Sequence, residues 1–463
     1  MMKFKEVVFV VLAVLLVCSP WLLNHFWGAE RVATPPGRTE VVFWHFWGGA
    51  DREIVRDVVE RFNKSQDRFF VREVAMPGNN LQSKLFLSTT GGDPPDLVNQ
   101  DDPVLASWAA SGVIQPMSEV ADEAEVEAVS QFLYPAARKL STCSQQLYGV
   151  CNGLDIRALY YNRTALERYG CQIPKTIREL DDVSQRIVPD GVDGDRNFYA
   201  YLPDSRRLWA WGYVFGGEFV DPSGNVELTN AKVVAASNWM ASYSQRYGAE
   251  NIAAFRTGDQ SLPGKTFPLL PIDEESTQGR YVMLMDGQWR TRDIRAFNSK
   301  RVESGKEPIE FGVAPLPYPK GGRANAGWVN GNVFMIPKGA SSSEGAWEFI
   351  KFWIGYSQPQ EAVRTCVNGG WIPVSSAVVS DPDFQKFLSE DELFKQFVEL
   401  AASRNQFPIP MVAAGPKLKR TVESASYRIM NEAEANALKI LAEAETEVQK
   451  AIEAVSSRKG GAR

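Results

Sequence analysis

The sequence predicts an α/β protein built around a mostly parallel sheet, and three observations carry that expectation. Short runs of β-branched and aromatic residues alternate with segments whose apolar residues recur every three or four positions, the rhythm of strand–helix units. The residues that follow several of these strands are Trp, Gly, Asp and Gln, and in open α/β sheets such loops build the ligand crevice. The 463 residues, 44% hydrophobic and 23% charged, suit a globular chain and argue against extended disorder or a polytopic membrane protein. That length corresponds to roughly two or three domains.

The elements follow in order. Lys3 and Lys5 precede an apolar run from Val7 to Leu23, so residues 1–29 read as an export signal or N-terminal membrane anchor. Three fates remain open there: an uncleaved anchor, a lipid on Cys18, or cleavage near Trp27-Gly28-Ala29. Each places the rest of the chain outside the cytoplasm. Residues 30–39, with Pro35-Pro36-Gly37, are a linker. Glu40–Trp47 is a strand running into an aromatic loop that ends at Gly48-Gly49, and Asp51 is placed to cap the next helix. Ile54, Val55, Val58, Val59 and Phe62 form that helix's apolar stripe. Phe69–Val74 is a second strand, Leu81 and Leu85 mark another helix, and Pro95–Val98 is a third strand followed by the loop Gln100–Pro103.

Tyr148–Gly153 lacks periodicity and reads as a crossing between domains. Strands are expected at Ala158–Asn162, Val282–Trp289, Phe311–Pro317 and Asn332–Pro337, with a helix starting after Pro174-Lys175-Thr176. The Ala/Glu-rich stretch 424–456 reads as a packing helix.

Several function classes are disfavoured. A net charge of -6 without a Lys/Arg stripe speaks against nucleic acid. The two histidines, His25 and His45, leave a multi-histidine metal site nearly excluded, and a Ser-His-Asp site would have to use His45. Gly258 and Gly264-Lys265-Thr266 miss the P-loop spacing by one residue. Asp193, Asp195, Asn197 and Asp204 loosely mimic a calcium loop, but Phe198 stands where that loop needs Gly. No carboxylate pair is assignable as acid and base. No catalytic residue, metal or cofactor is therefore expected. Cys143, Cys151, Cys171 and Cys366 permit three pairings, of which a local Cys143–Cys151 bridge is favoured over free buried thiols.

The recurring feature is Trp at strand ends or in Gly-rich loops: Trp44, Trp47, Trp209, Trp211, Trp289, Trp328 and Trp371. Indole faces with nearby carboxylate, amide and guanidinium groups suit a sugar ring, whose C–H face packs and whose hydroxyls need directional partners. A buried contact of ~50 Å2 contributes on the order of 1 kcal/mol.

At this point the chain, over about residues 40–455, resembles the extracellular solute-binding proteins of ABC importers, in the branch that includes maltodextrin- and glycerol-3-phosphate-type binders. The resemblance rests on Glu40–Trp47, Gly91–Leu97, Ala110–Met117, Leu147–Val150, Ala158–Asn162, Pro174–Thr176, Met285–Trp289, Val333–Pro337 and Ala346–Ile350, in that order. It implies a two-lobe periplasmic-binding-protein-like fold (type II), with a hinge and a cleft between the lobes. Residues 40–150 plus 310–338 would form the N-terminal lobe, and 151–309 plus 339–456 the C-terminal lobe.

Matched position by position, the ligand contacts would be Trp44, Trp47, Gln100, Asp101, Asp155, Asp204, Arg206, Trp209, Trp211, Trp289, Trp328, Asn330 and Trp371. Trp44, Trp47, Trp209, Trp289 and Trp371 would stack, and Asp101, Asp155, Asp204 and Arg206 would meet hydroxyls. Cys151 stands where the family usually has Pro, so a disulfide there would stiffen the hinge. The implied partners are a carbohydrate and the permease subunits of an ABC transporter, reached as a monomer held at the membrane by the N-terminal segment. An extracellular carbohydrate-active enzyme and a sugar receptor for a sensor system are the alternatives.

Overall fold

The computed structural model describes residues 33–189, 198–221, 223–261, 281–432 and 434–460. The export segment, the calcium-like residues Asp193–Asn197 and the P-loop-like Gly264–Thr266 lie outside them. The elements that position the site are β1 (Thr39–His45), helix α1 (Gly49–Ser65), β2 (Phe69–Ala75), β3 (Leu97–Asp101), β4 (Val150–Asn162) and α2 (Leu208–Val214). After these come β5 (Met283–Gly287), β6 (Phe311–Ala314), β7 (Gly327–Met335), α3 (Ser343–Trp353), α4 (Pro359–Gly369), β8 (Gln406–Phe407), α5 (Gly415–Asn431) and α6 (Ala437–Gly460).

One eight-stranded sheet runs β2–β1–β3–β7–β4–β5, with β6 added on β4 and β8 on β7. Among the described strands of this sheet, β1 pairs parallel with β2 and β3, and β8 with β7. β7 runs antiparallel to β3 and β4, and β4 antiparallel to β5 and β6. The expectation of a mostly parallel sheet is thus corrected. β4 and β7 are neighbouring strands that carry the chain in opposite directions between two cores, and strands so related pair antiparallel.

The first core gathers Val41, Phe43, Val55, Phe62, Ile156, Tyr160, Phe334, Trp347, Phe349 and Trp353 among others. The second gathers Leu159, Tyr161, Trp209, Trp211, Phe219, Tyr243, Trp328, Leu418 and Leu441 among others. β4 serves both, because successive side chains of a strand point to opposite faces: Ile156, Ala158 and Tyr160 face the first, Leu159 and Tyr161 the second. Each fully buried large side chain contributes roughly 1.5–3 kcal/mol. α3 and α4 pack with β1 and α1 in the first core, whereas α5 and α6 belong to the second.

Element ends shift where local chemistry outweighs spacing. α1 begins at Gly49 with Gly48 at its cap and no side-chain cap bond, so Asp51 lies in the first turn instead of capping it. A full capping box, Thr176 with Glu179, starts the helix Ile177–Ile187 as expected. The 424–456 stretch is not one helix: α5 ends at Asn431 and α6 starts at Ala437. β3 extends through Gln100 and Asp101, which had read as loop, and β7 starts early enough to include Trp328 and Asn330.

Candidate ligand-binding site

The two crossing strands present a polar strip. On β7, Trp328, Asn330 and Asn332 are separated by two residues each, so they share a face. Asn332 Nδ2 donates to Asp101 Oδ1 on β3 (2.8 Å), and Asn330 Nδ2 donates to Asp155 Oδ2 on β4 (3.3 Å). Gln288, just after β5, donates its Nε2 to Asp155 Oδ1 (2.7 Å). A β-bulge between Cys151 and Gly153 shifts the register of β4 against β7 by one residue here, so that Cys151 pairs with Val333 and Gly153 with Asn332.

Aromatic groups stand at both ends of this strip. At the second-core end, the Arg157 guanidinium lies over Trp289 (4.9 Å) and Trp328 (4.5 Å) and donates through Nη1 to the Asp155 carbonyl (3.1 Å). At the first-core end, Trp47, Trp353 and Trp371 lie near-parallel, with ring centroids 5.6 to 5.9 Å apart. Trp371 sits against Gly153 of β4 and remains partly open to solvent, while Trp47 is 7% exposed.

Charge is arranged around the strip in pairs. Arg206 grips Asp204 with Nε and Nη2 (3.1 and 2.6 Å), and Arg207 lies 3.7 Å from Asp286, which also holds Arg290 (2.7 Å). Burial raises the Asp155 carboxyl above its ordinary range, opposed by the Arg157 charge and the Gln288 hydrogen bond. Asp102, completely buried beside the strip, is pushed up to about 8 by burial first and by Asp101 second. Arg157 is lowered to about 10, chiefly by burial and then by Arg207. The first turns of α5 close the strip from the second core. A methyl group at Gly415 would clash with the Pro103 carbonyl oxygen, so the helix start touches the turn after β3.

Of the sequence-derived residues, the structure brings together Asp101, Asp155, Trp289, Trp328 and Asn330, with Gln100 next to Asp101. Asp204 and Arg206 lie at the border of this group and are mutually paired. Trp47 and Trp371 are at the far aromatic end. Two placements differ. Trp209 and Trp211 on α2 have 0% exposure inside the second core, packed on Phe219 (4.5 Å) and Trp239 (4.6 Å), so neither offers a stacking face. Trp44 points away from Phe43 and His45, into the satellite cluster of Leu81, Leu85 and Trp108. Sequence reasoning missed Arg157, Arg207, Asp286, Gln288 and Asn332, and also Lys419 on α5, whose charge opposes the upward push of burial on the Asp101 carboxyl.

The Cys143–Cys151 bridge is not formed. All four described cysteines are free thiols: Cys143 is half-buried in a short hairpin, and Cys151 donates to the Gly153 carbonyl (3.2 Å). No group of metal-ligating side chains occurs among the described residues.

Two separately packed cores, joined by crossing strands with a hydrogen-bonding floor between aromatic ends, define a two-lobe binding protein of the periplasmic type. Comparison with known proteins agrees. The family described as bacterial extracellular solute-binding protein matches residues 57–394, and the chain belongs to it. Its function is therefore to bind a solute, not to catalyse a reaction.

A maltooligosaccharide ABC transporter solute-binding lipoprotein of Streptococcus pneumoniae is 22% identical over 340 residues, 71% of this chain and 70% of that protein. An sn-glycerol-3-phosphate-binding periplasmic protein of Brucella abortus is 23% identical over 369 residues, 76% and 79% of the two chains. The sugar-binding protein MalE of Xanthomonas citri superposes with a TM-score of 0.71 at 20% identity, covering 91% of this chain and 98% of its own. No described helix is long and apolar enough to cross a membrane.

Proposed function

We propose that this protein captures a carbohydrate, or a related polyol or sugar derivative, on the strip between its lobes and delivers it to the membrane permease of an ABC importer. The observation that carries this reading is the floor itself. Asp101, Asn332, Asn330 and Asp155 offer a row of directional hydrogen-bonding groups between Trp289 at one end and Trp371 at the other. Such a surface suits a ligand with many hydroxyls and apolar ring faces. The names of the relatives, one a maltooligosaccharide ABC transporter lipoprotein, point the same way.

In this reading the protein works as a monomer outside the cytoplasm, held at the membrane by residues 1–29 as an anchor or by a lipid on Cys18. The lobes in this reading are residues 40–150 plus 310–338 and residues 151–309 plus 339–456; α3 and α4 pack with β1–β3 in the first cluster, and the helices between β4 and β5 pack with α5 and α6 in the second. Ligand contacts to both lobes would then favour the closed arrangement, since only differential affinity shifts such an equilibrium.

Titration of tryptophan fluorescence against oligosaccharides, polyols and sugar phosphates tests the proposal. A saturable change that is weakened at least tenfold by Asp155→Asn and Trp289→Ala is expected. No saturable response to any of the three classes refutes it.

A further inference from the structure

We infer that Arg157 and Arg207 together form the seat for one acceptor oxygen of the ligand, at the second-core end of the floor beside Trp328. This inference rests on the proposed carbohydrate reading and deepens it, because it names the residues that fix where along the strip the ligand stops.

Both arginines hold a donor that nothing satisfies. The Nε–H groups of Arg157 and Arg207 are buried without a partner among the described residues. Arg157 is 5% exposed, and its side chain makes one hydrogen bond there, from Nη1 to the Asp155 carbonyl of its own strand (3.1 Å). The Asp155 carboxylate gives its two oxygens to the Gln288 and Asn330 amides instead (2.7 and 3.3 Å). Arg207 has Asp286 Oδ1 at 3.7 Å from its Nη2, beyond hydrogen-bonding distance. That oxygen accepts from the Gly287 amide (2.9 Å), and the other oxygen of Asp286 accepts from Arg290 (2.7 Å).

The two groups also converge. Both guanidinium groups lie over Trp328, at 4.5 and 5.6 Å from its ring. After burial, the Arg207 charge is the main influence that lowers Arg157 to about 10. Two like charges held near each other and out of water cost stability unless something compensates them. Indole faces attract a cation, but they offer no lone pair to an N–H. The missing partner is an oxygen with lone pairs to spare. A hydroxyl, a carboxylate or a phosphate supplies one, and a single such oxygen can accept from both Nε–H groups. Trp289, 4.9 Å from the Arg157 guanidinium, puts this seat where the ligand's ring face is proposed to pack.

Two measurements on the full chain test this. Thermal unfolding without ligand separates a binding role from a structural one. Arg157→Met puts an uncharged chain between the indoles, and Arg207→Gln leaves Asp286 to Arg290, so each variant should melt at or above the parent's Tm. Isothermal titration calorimetry then uses maltotriose, glucose 6-phosphate, glycerol 3-phosphate and glucuronate. For each compound that binds the parent, either variant should weaken binding by at least about tenfold, as expected for loss of a hydrogen bond from a charged donor. The double variant should lose less than the product of the two single losses, because both donors hold one oxygen. Tightest binding of maltotriose supports the seat with a hydroxyl in it, and tightest binding of a phosphate or the uronate supports it with an anionic oxygen. Unchanged affinity in either variant, or a Tm that falls together with the affinity, overturns the inference and leaves the carbohydrate reading standing. Losses that multiply in the double variant overturn the shared oxygen. A parent chain that binds none of the panel overturns this inference and the carbohydrate reading together.

Discussion

Asp102 offers a quantitative test of the floor's electrostatics. Its side chain is 0% exposed, its Oδ2 has no partner among the described residues, and its Oδ1 accepts only a long bond from the Gly331 amide (3.4 Å). Burial, and then the Asp101 charge, raise its carboxyl from 3.8 to about 8. Between those two values the folded protein keeps a proton that the unfolded chain releases, so stability falls as pH rises. The slope is about 1.4 kcal/mol per pH unit, and the loss levels off above about pH 8. For roughly 400 ordered residues the unfolding entropy is about 0.8 kcal/mol/K, so each unit corresponds to about 1.6 °C in Tm.

Asp102→Asn keeps the shape and removes the titration. Differential scanning fluorimetry of both proteins at pH 5, 6, 7 and 8 should show the variant gaining on the parent by about 1.6 °C per unit. A Tm difference that stays flat across this range would refute the assignment of a neutral carboxylic acid at this position.

Three further outcomes are expected. Burial pushes the Glu73 carboxyl up, but the hydrogen bonds and charges of His45 and Arg52 outweigh it and hold the group at about 2. Its contribution, at most about 3 kcal/mol, is present above about pH 4.5 and lost as pH falls toward 2; Glu73→Gln should lower the urea midpoint at pH 7 and converge with the parent below pH 4, and a gap unchanged in acid would exclude the mechanism. A methyl group on Gly331 would meet the Gly153 carbonyl oxygen at 2.5 Å and Cys151 Sγ at 2.7 Å, so Gly331→Ala should cost about 1–3 kcal/mol in denaturant unfolding; an unchanged midpoint would contradict the tight crossing of β4 and β7. Iodoacetamide on the native protein should label Cys143 and spare the buried Cys151, Cys171 and Cys366, read by peptide mass; protection of Cys143 relieved only by reductant would reveal a disulfide instead.

Much of the fold was legible because strands and amphipathic helices write their period into the chain. Of the stripe Ile54, Val55, Val58, Val59 and Phe62, all but the half-buried Ile54 are buried, and the Thr176/Glu179 box caps its helix. Strand direction was not legible, because apolar alternation says which face is inside and nothing about the sense of the neighbour. The site was half legible. Asp155 and Arg157, two residues apart and the only charged residues of β4, are the one local signal that would have exposed the missed arginine. Gln288, Asn332 and Lys419 sit in unremarkable polar contexts and become neighbours only through the crossing of β4, β5, β7 and α5. Trp209 and Trp211 misled because the run Leu208–Phe215 is apolar on every side, the mark of a buried helix rather than of a binding loop.

The sharing of strands between the cores bears on how the chain comes to be folded at all. Val41 and Ala401 belong to one hydrophobic cluster, and Leu159 and Val448 to the other. A polypeptide emerging from its N-terminus cannot complete either cluster until nearly all of it has appeared, and closing such long loops early gains nothing against their entropy. Until then both cores stay open, and each closes only when its distant segments meet.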